Sequence, residues 1–211
     1  MHQVGPRRLL ARPGRRPARL PRRPRGPAVR GRRLIEPFTL PAPPLVDPAR
    51  GLVLRPWRPA DAVTLATAWA LPDVAAQATV PGVGAVADAE RWIAGAPARR
   101  QVGLGLDLVV GRLDGEVWGE VGLARLRLTA GDATRDELEI GWWVLPAHRR
   151  RGVATAAAGL LARWALTQGD ATRLVARIVR GQVGSETVAT RIGLRRLARL
   201  DSTRDLWAGP V

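Results

Sequence analysis

Seven consecutive residues, Arg149-Arg150-Arg151-Gly152-Val153-Ala154-Thr155, join three cations to a glycine turn. A strand-like run from Glu137 to Leu145 stops at Pro146 ahead of them, and an alanine-rich helix follows. The first turn of a helix leaves backbone N–H groups without intrahelical partners, and the helix dipole makes that end positive. A glycine turn leading into such a helix is suited to holding a pyrophosphate on main-chain donors. Arg149, Arg150 and Arg151 add formal charge to a place that already favours anions. The alternative reading is a solvated, arginine-rich loop between a strand and a helix.

The neighbouring elements must aim this turn. In the run before it, Leu138, Ile140, Trp142 and Val144 share one face and Glu139, Gly141, Trp143 and Leu145 the other, as a two-residue period requires. The helix after it, from about Gly152 to Gln168, spaces Val153, Ala157, Leu160, Leu161 and Trp164 for packing on a sheet. Upstream, Leu52 to Trp57 reads as a first strand. A helix follows from Pro59 to about Ala70, with Val63, Leu65, Ala66 and Trp69 on its apolar side. A loop is expected from Pro72 to Val86, then a helix from Asp88 to about Ala98. Strands are expected at Leu104 to Arg112 and Glu116 to Leu128, joined by an Asp114-Gly115 hairpin turn, with a further turn from Ala130 to Arg135. Downstream come a strand at Arg173 to Val179 and a short helix at Ser185 to Ile192, with Ser185 at its N-cap and Gly193 past its end. A closing hairpin, Leu194 to Leu200 with Thr203 to Trp207, completes the order β-α-α-β-β-β-α-β-α-β-β. This is an α/β (α+β) fold with a mixed, mostly antiparallel central sheet and helices on both faces.

Arg149, Gly152 and Ala154 match a pattern of Arg or Gln, two residues, Gly, one residue, then Gly or Ala. In its strand-turn-helix setting, this stretch resembles the acetyl-CoA-binding motif of the GNAT superfamily of N-acetyltransferases. The opening LRPWRPADA resembles the first strand and helix of the branch that includes ribosomal-protein N-terminal alanine acetyltransferases. The resemblance spans about residues 51–208. It implies acetyl-CoA as co-substrate, with pantetheine on the backbone of Trp143 and Val144 and pyrophosphate on the N–H groups from Arg150 to Thr155. It also implies that the strand before the turn and the next strand splay apart. The reaction would be direct attack of a primary amine, on a protein N-terminus or a small molecule, on the thioester carbonyl.

Within the resemblance, Glu139 takes the place of the general base. Flanking tryptophans should desolvate it and raise its pKa. It reads alternatively as a structural carboxylate paired with an arginine, or as one that only binds the substrate amine. Many relatives use a tyrosine as the acid, and this chain has none. The branch instead places a serine after an Asn in an N-x-x-S run. Here the run is Gln182-Val183-Gly184-Ser185, which makes Ser185 the group at the leaving thiol and Gln182 a coenzyme contact whose amide reaches one methylene further. Ser185 reads alternatively as a plain helix cap.

Composition narrows the remaining choices. The chain has 211 residues, enough for one well-buried domain, with a net charge of +16, no lysine and no cysteine. Disulfides, thiolate metal sites and a cysteine nucleophile are excluded, and two histidines argue against a histidine-rich metal site, so no metal is expected. No apolar run approaches the roughly 20 residues that cross a bilayer, and the basic N-terminus lacks a secretory apolar core. A cytoplasmic monomer or homodimer is expected. Residues 1–49 hold 11 of the 18 prolines, interleaved with arginine, and read as a disordered arm ahead of a domain at 50–211. The arm is a weak nucleic-acid or ribosome contact, a linker without a role, or translated sequence upstream of the true start. The competing functions are nucleic-acid binding through the arm and non-catalytic acyl-CoA sensing.

Overall fold

The structure, a computed structural model, describes residues 36–76, 84–130, 133–168 and 173–209. Among these, eight strands form one sheet: β1 (Leu45–Asp47), β2 (Leu52–Pro56), β3 (Gly105–Arg112), β4 (Val117–Ala130), β5 (Ala133–Val144), β6 (Leu174–Val179), β7 (Arg195–Arg199) and β8 (Arg204–Gly209). Their spatial order is β1-β2-β3-β4-β5-β6-β8-β7. Every neighbouring pair is antiparallel except β5–β6, which a helical crossover makes parallel. The helices are α1 (Ala62–Trp69), α2 (Pro72–Ala75), α3 (Val86–Gln101), α4 (Val153–Thr167) and α5 (Val183–Arg191).

The alternation in β5 sets the two layers. Leu138, Ile140 and Val144 are buried toward α4, with Trp142 packed at the edge of that core. Trp143 is buried on the opposite face among residues of α1 and α3. Ala157, Ala158, Ala162 and Ala165 let α4 lie close to the sheet, and Leu161 is fully buried between them. Truncating such a leucine to alanine costs about 2 to 5 kcal/mol. Helices therefore cover both faces, as the sequence pattern predicts.

The LRPWRPADA segment is held by charge as well as by apolar contact. Arg55 on β2 makes two hydrogen bonds to Asp61, at 2.7 and 2.9 Å, and both residues are buried. Asp61 also accepts the backbone N–H of Arg58 at 2.8 Å, which fixes the turn into α1.

Several expectations change in detail. A short strand, β1, and a 3-10 turn at Pro48–Arg50 lie inside the stretch expected to be disordered. β1 pairs with β2 from Leu45↔Leu54 to Asp47↔Leu52. Residues 1–35 of the expected arm lie outside the described residues. Val63 is 63% exposed, because the buried side of α1 runs through Ala62, Leu65, Ala66, Ala68 and Trp69 instead. Pro72–Ala75 forms a helical turn within the expected loop, since Pro72 has the φ that a helix start needs. The β4–β5 hairpin extends to Ala130 and Ala133, so its connection is shorter than the expected turn; residues 131 and 132 are not among those described. Ser185 is not the N-cap of α5: the helix begins at Val183 with Gln182 capping it, leaving Ser185 in the first turn.

Candidate active site

β5 and β6 are paired only at Leu138↔Leu174 and Glu139↔Val175. Beyond Glu139 the two strands separate. The gap opens into a cleft of about 650 Å³ whose walls come from the end of β5, the turn before α4 and the first turn of α5. Trp143, Val144, Arg149, Arg150, Gly152, Val153, Ala154, Thr155, Gln182 and Ser185 all line it. Ten of the sequence-selected residues, scattered over more than 40 positions, thus share one cavity.

The turn has the backbone geometry that an anion cradle requires. Gly152 has φ +76° and Arg150 φ +65°, both left-handed, and α4 begins immediately after with no side chain capping it. Gly152 adopts this conformation at no steric cost, whereas a residue with a Cβ is strained there. The uncapped first-turn N–H groups at Val153, Ala154 and Thr155 stay available to an anion. Arg149 is committed elsewhere: its Nε donates to the Val144 carbonyl at 2.7 Å, and its other end pairs with Asp73 of α2 at 2.8 Å. Its role is to fix the turn against β5. Arg151 is exposed and does not line the cleft.

The β5 backbone corrects one expectation. Leu145 donates to the Trp118 carbonyl at 2.8 Å, so residues 145 and 118 form a hydrogen-bonded pair of the β4–β5 ladder. Hydrogen-bonded and non-bonded pairs alternate in an antiparallel ladder. The register Glu120↔Trp143 therefore turns the Trp143 main chain toward β4, while the main chains of Trp142 and Val144 face the gap. Trp143 contributes its side chain, not its backbone. At Val144 the carbonyl is taken by Arg149, which leaves the N–H.

Gln182 and Ser185 enter from the opposite wall. The Oε1 atom of Gln182 is buried without a hydrogen-bond partner. A buried acceptor left unpaired costs about 1 to 3 kcal/mol, so a ligand amide N–H at this point would be stabilised. This orphaned acceptor, the uncapped helix start and the unpaired β5 edge all fit an elongated ligand with an anionic end and amide groups along its length.

The carboxylates with raised pKa values, Glu120 and Asp107, are residues that the sequence pattern does not single out. Glu139 lies where β5 and β6 are still paired, and Arg177 grips its carboxylate with two bonds of 2.6 and 2.8 Å. It does not line the cleft. In place of the desolvated free base expected from the sequence, it is half of an ion pair. Glu120 on β4 sits directly across from Trp143. The indole of Trp143 donates to its Oε1 at 3.1 Å and that of Trp57 to its Oε2 at 2.7 Å, with the two rings stacked 6.3 Å apart. Glu120 keeps some solvent contact by area, yet protein surrounds it at depth. That burial, reinforced by the nearby negative charge of Asp107, pushes its pKa up to about 8. The indole bonds and Arg99 pull in the opposite direction without cancelling the effect. Asp107 is itself raised by burial, against its bond from Arg99 at 3.0 Å. Arg99 also lies over the Trp92 ring, 3.5 Å from its centroid. On the α1/α3 face of the sheet there is therefore a tryptophan-walled acidic recess, which meets the cleft through Trp143; Glu120 itself does not line the cleft.

The family model for the acetyltransferase (GNAT) domain matches residues 51–195. The chain belongs to the GNAT acetyltransferases. Solved structures of the same fold include Mycobacterium smegmatis RimJ in complex with CoA-disulfide. That match is 24% identical, with 78% of this chain and 84% of that one covered and a TM-score of 0.61. An acetyltransferase from Agrobacterium tumefaciens is 27% identical over 74% of this chain and 89% of its own, with a TM-score of 0.58. Ribosomal-protein-S5-alanine acetyltransferase from Vibrio fischeri is 13% identical over 76% and 93%, with a TM-score of 0.60. No curated protein matches the chain. As expected of a GNAT fold, the strand before the cradle parts from its parallel neighbour. Among the described residues no helix is long and apolar enough to cross a membrane.

Proposed function

We propose that this GNAT protein transfers an acetyl group from acetyl-CoA to a primary amine. The observation that supports this most is the joining of three features in one cleft: an unpaired β5 edge, an uncapped α4 start, and the orphaned acceptor of Gln182. Acetyl-CoA supplies the thioester. The N–H groups at Val153, Ala154 and Thr155 hold its diphosphate. The main chains of Trp142 and Val144, with Gln182 opposite, hold the pantetheine arm. Mycobacterium smegmatis RimJ, of the same fold, is a complex with CoA-disulfide, which supports this reading.

Glu120, rather than Glu139, serves as the base. The amine nitrogen forms a bond to the thioester carbonyl carbon, and the carbon–sulfur bond breaks. One proton leaves the nitrogen for the Glu120 carboxylate, through a water if the two do not touch. The Ser185 hydroxyl donates a hydrogen bond to the departing thiolate, which takes up a proton from solvent. A conjugate acid near 8 matches an α-amino group of similar pKa, so proton transfer to Glu120 is close to thermoneutral. A thiol-release assay with acetyl-CoA across peptides, polyamines and aminoglycosides tests the reading. Acceptor-dependent release is expected. Tight CoA binding with no release for any amine would instead make the protein a coenzyme-binding regulator.

A further inference from the structure

Beside the cradle lies a second cavity, of about 810 Å³, which shares Gly152, Thr155 and Arg191 with the first. The two form one groove that passes over the start of α4. The floor of the second part is the stripe Thr155, Gly159 and Arg163, four residues apart on one face of α4. Gly159 leaves room there, and the Arg163 guanidinium folds back over it: a Cβ on Gly159 would lie 3.3 Å from Nη1. The far wall is the turn after β1, from which Arg50 reaches the cradle. A Cβ on Gly152 would lie 3.8 Å from both Nε and Nη2 of Arg50. Arg191 of α5 closes the third side.

Three guanidinium groups therefore surround a cavity containing one carboxylate. That carboxylate, Asp47, is already engaged by Arg50 at 2.8 Å. Among the described residues, the guanidinium groups of Arg163 and Arg191 have no hydrogen-bond or ion-pair partner. Arg50 precedes residues 51–195, the span matched by the family model. Two guanidinium groups without partners, beside a third that has one carboxylate, leave a net positive hollow that favours a phosphate monoester, which accepts bidentate, charge-assisted hydrogen bonds. The position restricts the choice further. A ligand whose diphosphate occupies the cradle must continue either into the first cavity or into this one. With pantetheine in the first, the ribose end enters the second.

We infer that Arg50, Arg163 and Arg191 form a binding site for the 3′-phosphate of the coenzyme's ribose, and that the protein selects 3′-phosphorylated coenzyme through it. This rests on the proposed orientation of acetyl-CoA. The test compares CoA with 3′-dephospho-CoA by calorimetric titration of the full chain. The unmodified protein should bind CoA at least about tenfold more tightly, the value of one charge-assisted contact of roughly 1.4 kcal/mol. Arg163→Gln should cut that preference to about twofold while leaving the affinity for 3′-dephospho-CoA nearly unchanged, and Arg191→Gln should act in the same direction. Equal affinity of the unmodified protein for the two coenzymes would overturn this inference and leave the transferase reading intact. Binding of neither would overturn both. An equal loss for both coenzymes in each variant would mean that the arginines hold the diphosphate instead, and would also overturn it.

Discussion

The two ends of β5 have opposite fates. At its start the strand is closed on both edges: β4 pairs along its whole length, β6 pairs at Leu138 and Glu139, and Arg173 and Arg177 bind the carboxylates of Glu137 and Glu139. At its end only β4 remains, and the other edge faces a cleft. Each end has an acid, Glu139 on β5 itself and Glu120 on β4 opposite Trp143, and the two have different partners. Glu139 has its charge neutralised by a guanidinium. Glu120, opposite Trp143, is bonded only by neutral indole donors and is held by burial at a raised pKa. The open edge of β5 leaves main-chain groups free beside the cleft, while burial on the α1/α3 face raises the pKa of the carboxylate across from it, and the closed end keeps the sheet together.

The contrast can be broken most severely at the cradle. Gly152→Val forces a β-branched residue into φ +76° and should abolish the rise in melting temperature that CoA gives the unmodified protein. A full thermal shift in that variant would place the diphosphate elsewhere. Next in size is Glu120→Gln, expected to lower kcat by about 10²- to 10⁴-fold with little change in CoA affinity, as measured by steady-state rates and calorimetry. The rate of the unmodified enzyme should rise with pH through about 8, since Glu120 must lose its proton to act. Stability should move the other way. The folded state holds the Glu120 proton more tightly than the unfolded chain, so this group's contribution is fully present below the unfolded pKa of about 4.5 and is lost as pH rises through about 8. On the order of 5 kcal/mol separates the two limits, and denaturant titrations at pH 5 and 9 should show most of it, diminished in Glu120→Gln. Smaller still, Ser185→Ala should reduce kcat by about tenfold, the value of one hydrogen bond to a charged group. The smallest effect belongs to the closed end. Glu139→Gln should cost about 1 kcal/mol of stability, because the Arg177 partner is partly solvated, and should leave kcat within about threefold. A large loss of kcat there would reverse the roles assigned to the two acids.

Much of this could be read from the chain because the signals are local. The glycine turn before an apolar-periodic helix, the two faces of β5 and the Asp114-Gly115 hairpin each lie within a few consecutive residues, and the structure has all three. Gln182 and Ser185, singled out through the family resemblance, both line the cleft, although α5 starts two residues earlier than a serine cap would place it. Glu120 was not legible. It stands between glycines in Trp118-Gly119-Glu120-Val121-Gly122, where no periodicity distinguishes a solvated carboxylate from a buried one. Its environment depends on β4–β5 register and on an indole 63 residues away. Glu139 failed for the same reason: its partner Arg177 lies 38 residues further along, on a strand that meets β5 only across a crossover. The Trp143 backbone was misassigned because the sequence gives the side-chain face of a strand but not which edge of each residue is bonded. β1 was hidden by the prolines and arginines around it, which reduce its three residues to no visible pattern.

The indoles of Trp57 and Trp143 donate their N–H groups to the same carboxylate, and the chain contains no tyrosine. Ultraviolet emission is therefore dominated by indole, and two of the eight tryptophans bond the carboxylate proposed as the base. Charging that carboxylate changes the local field on both rings, so the protein contains a native optical reporter of its own ionisation, readable in the unlabelled molecule.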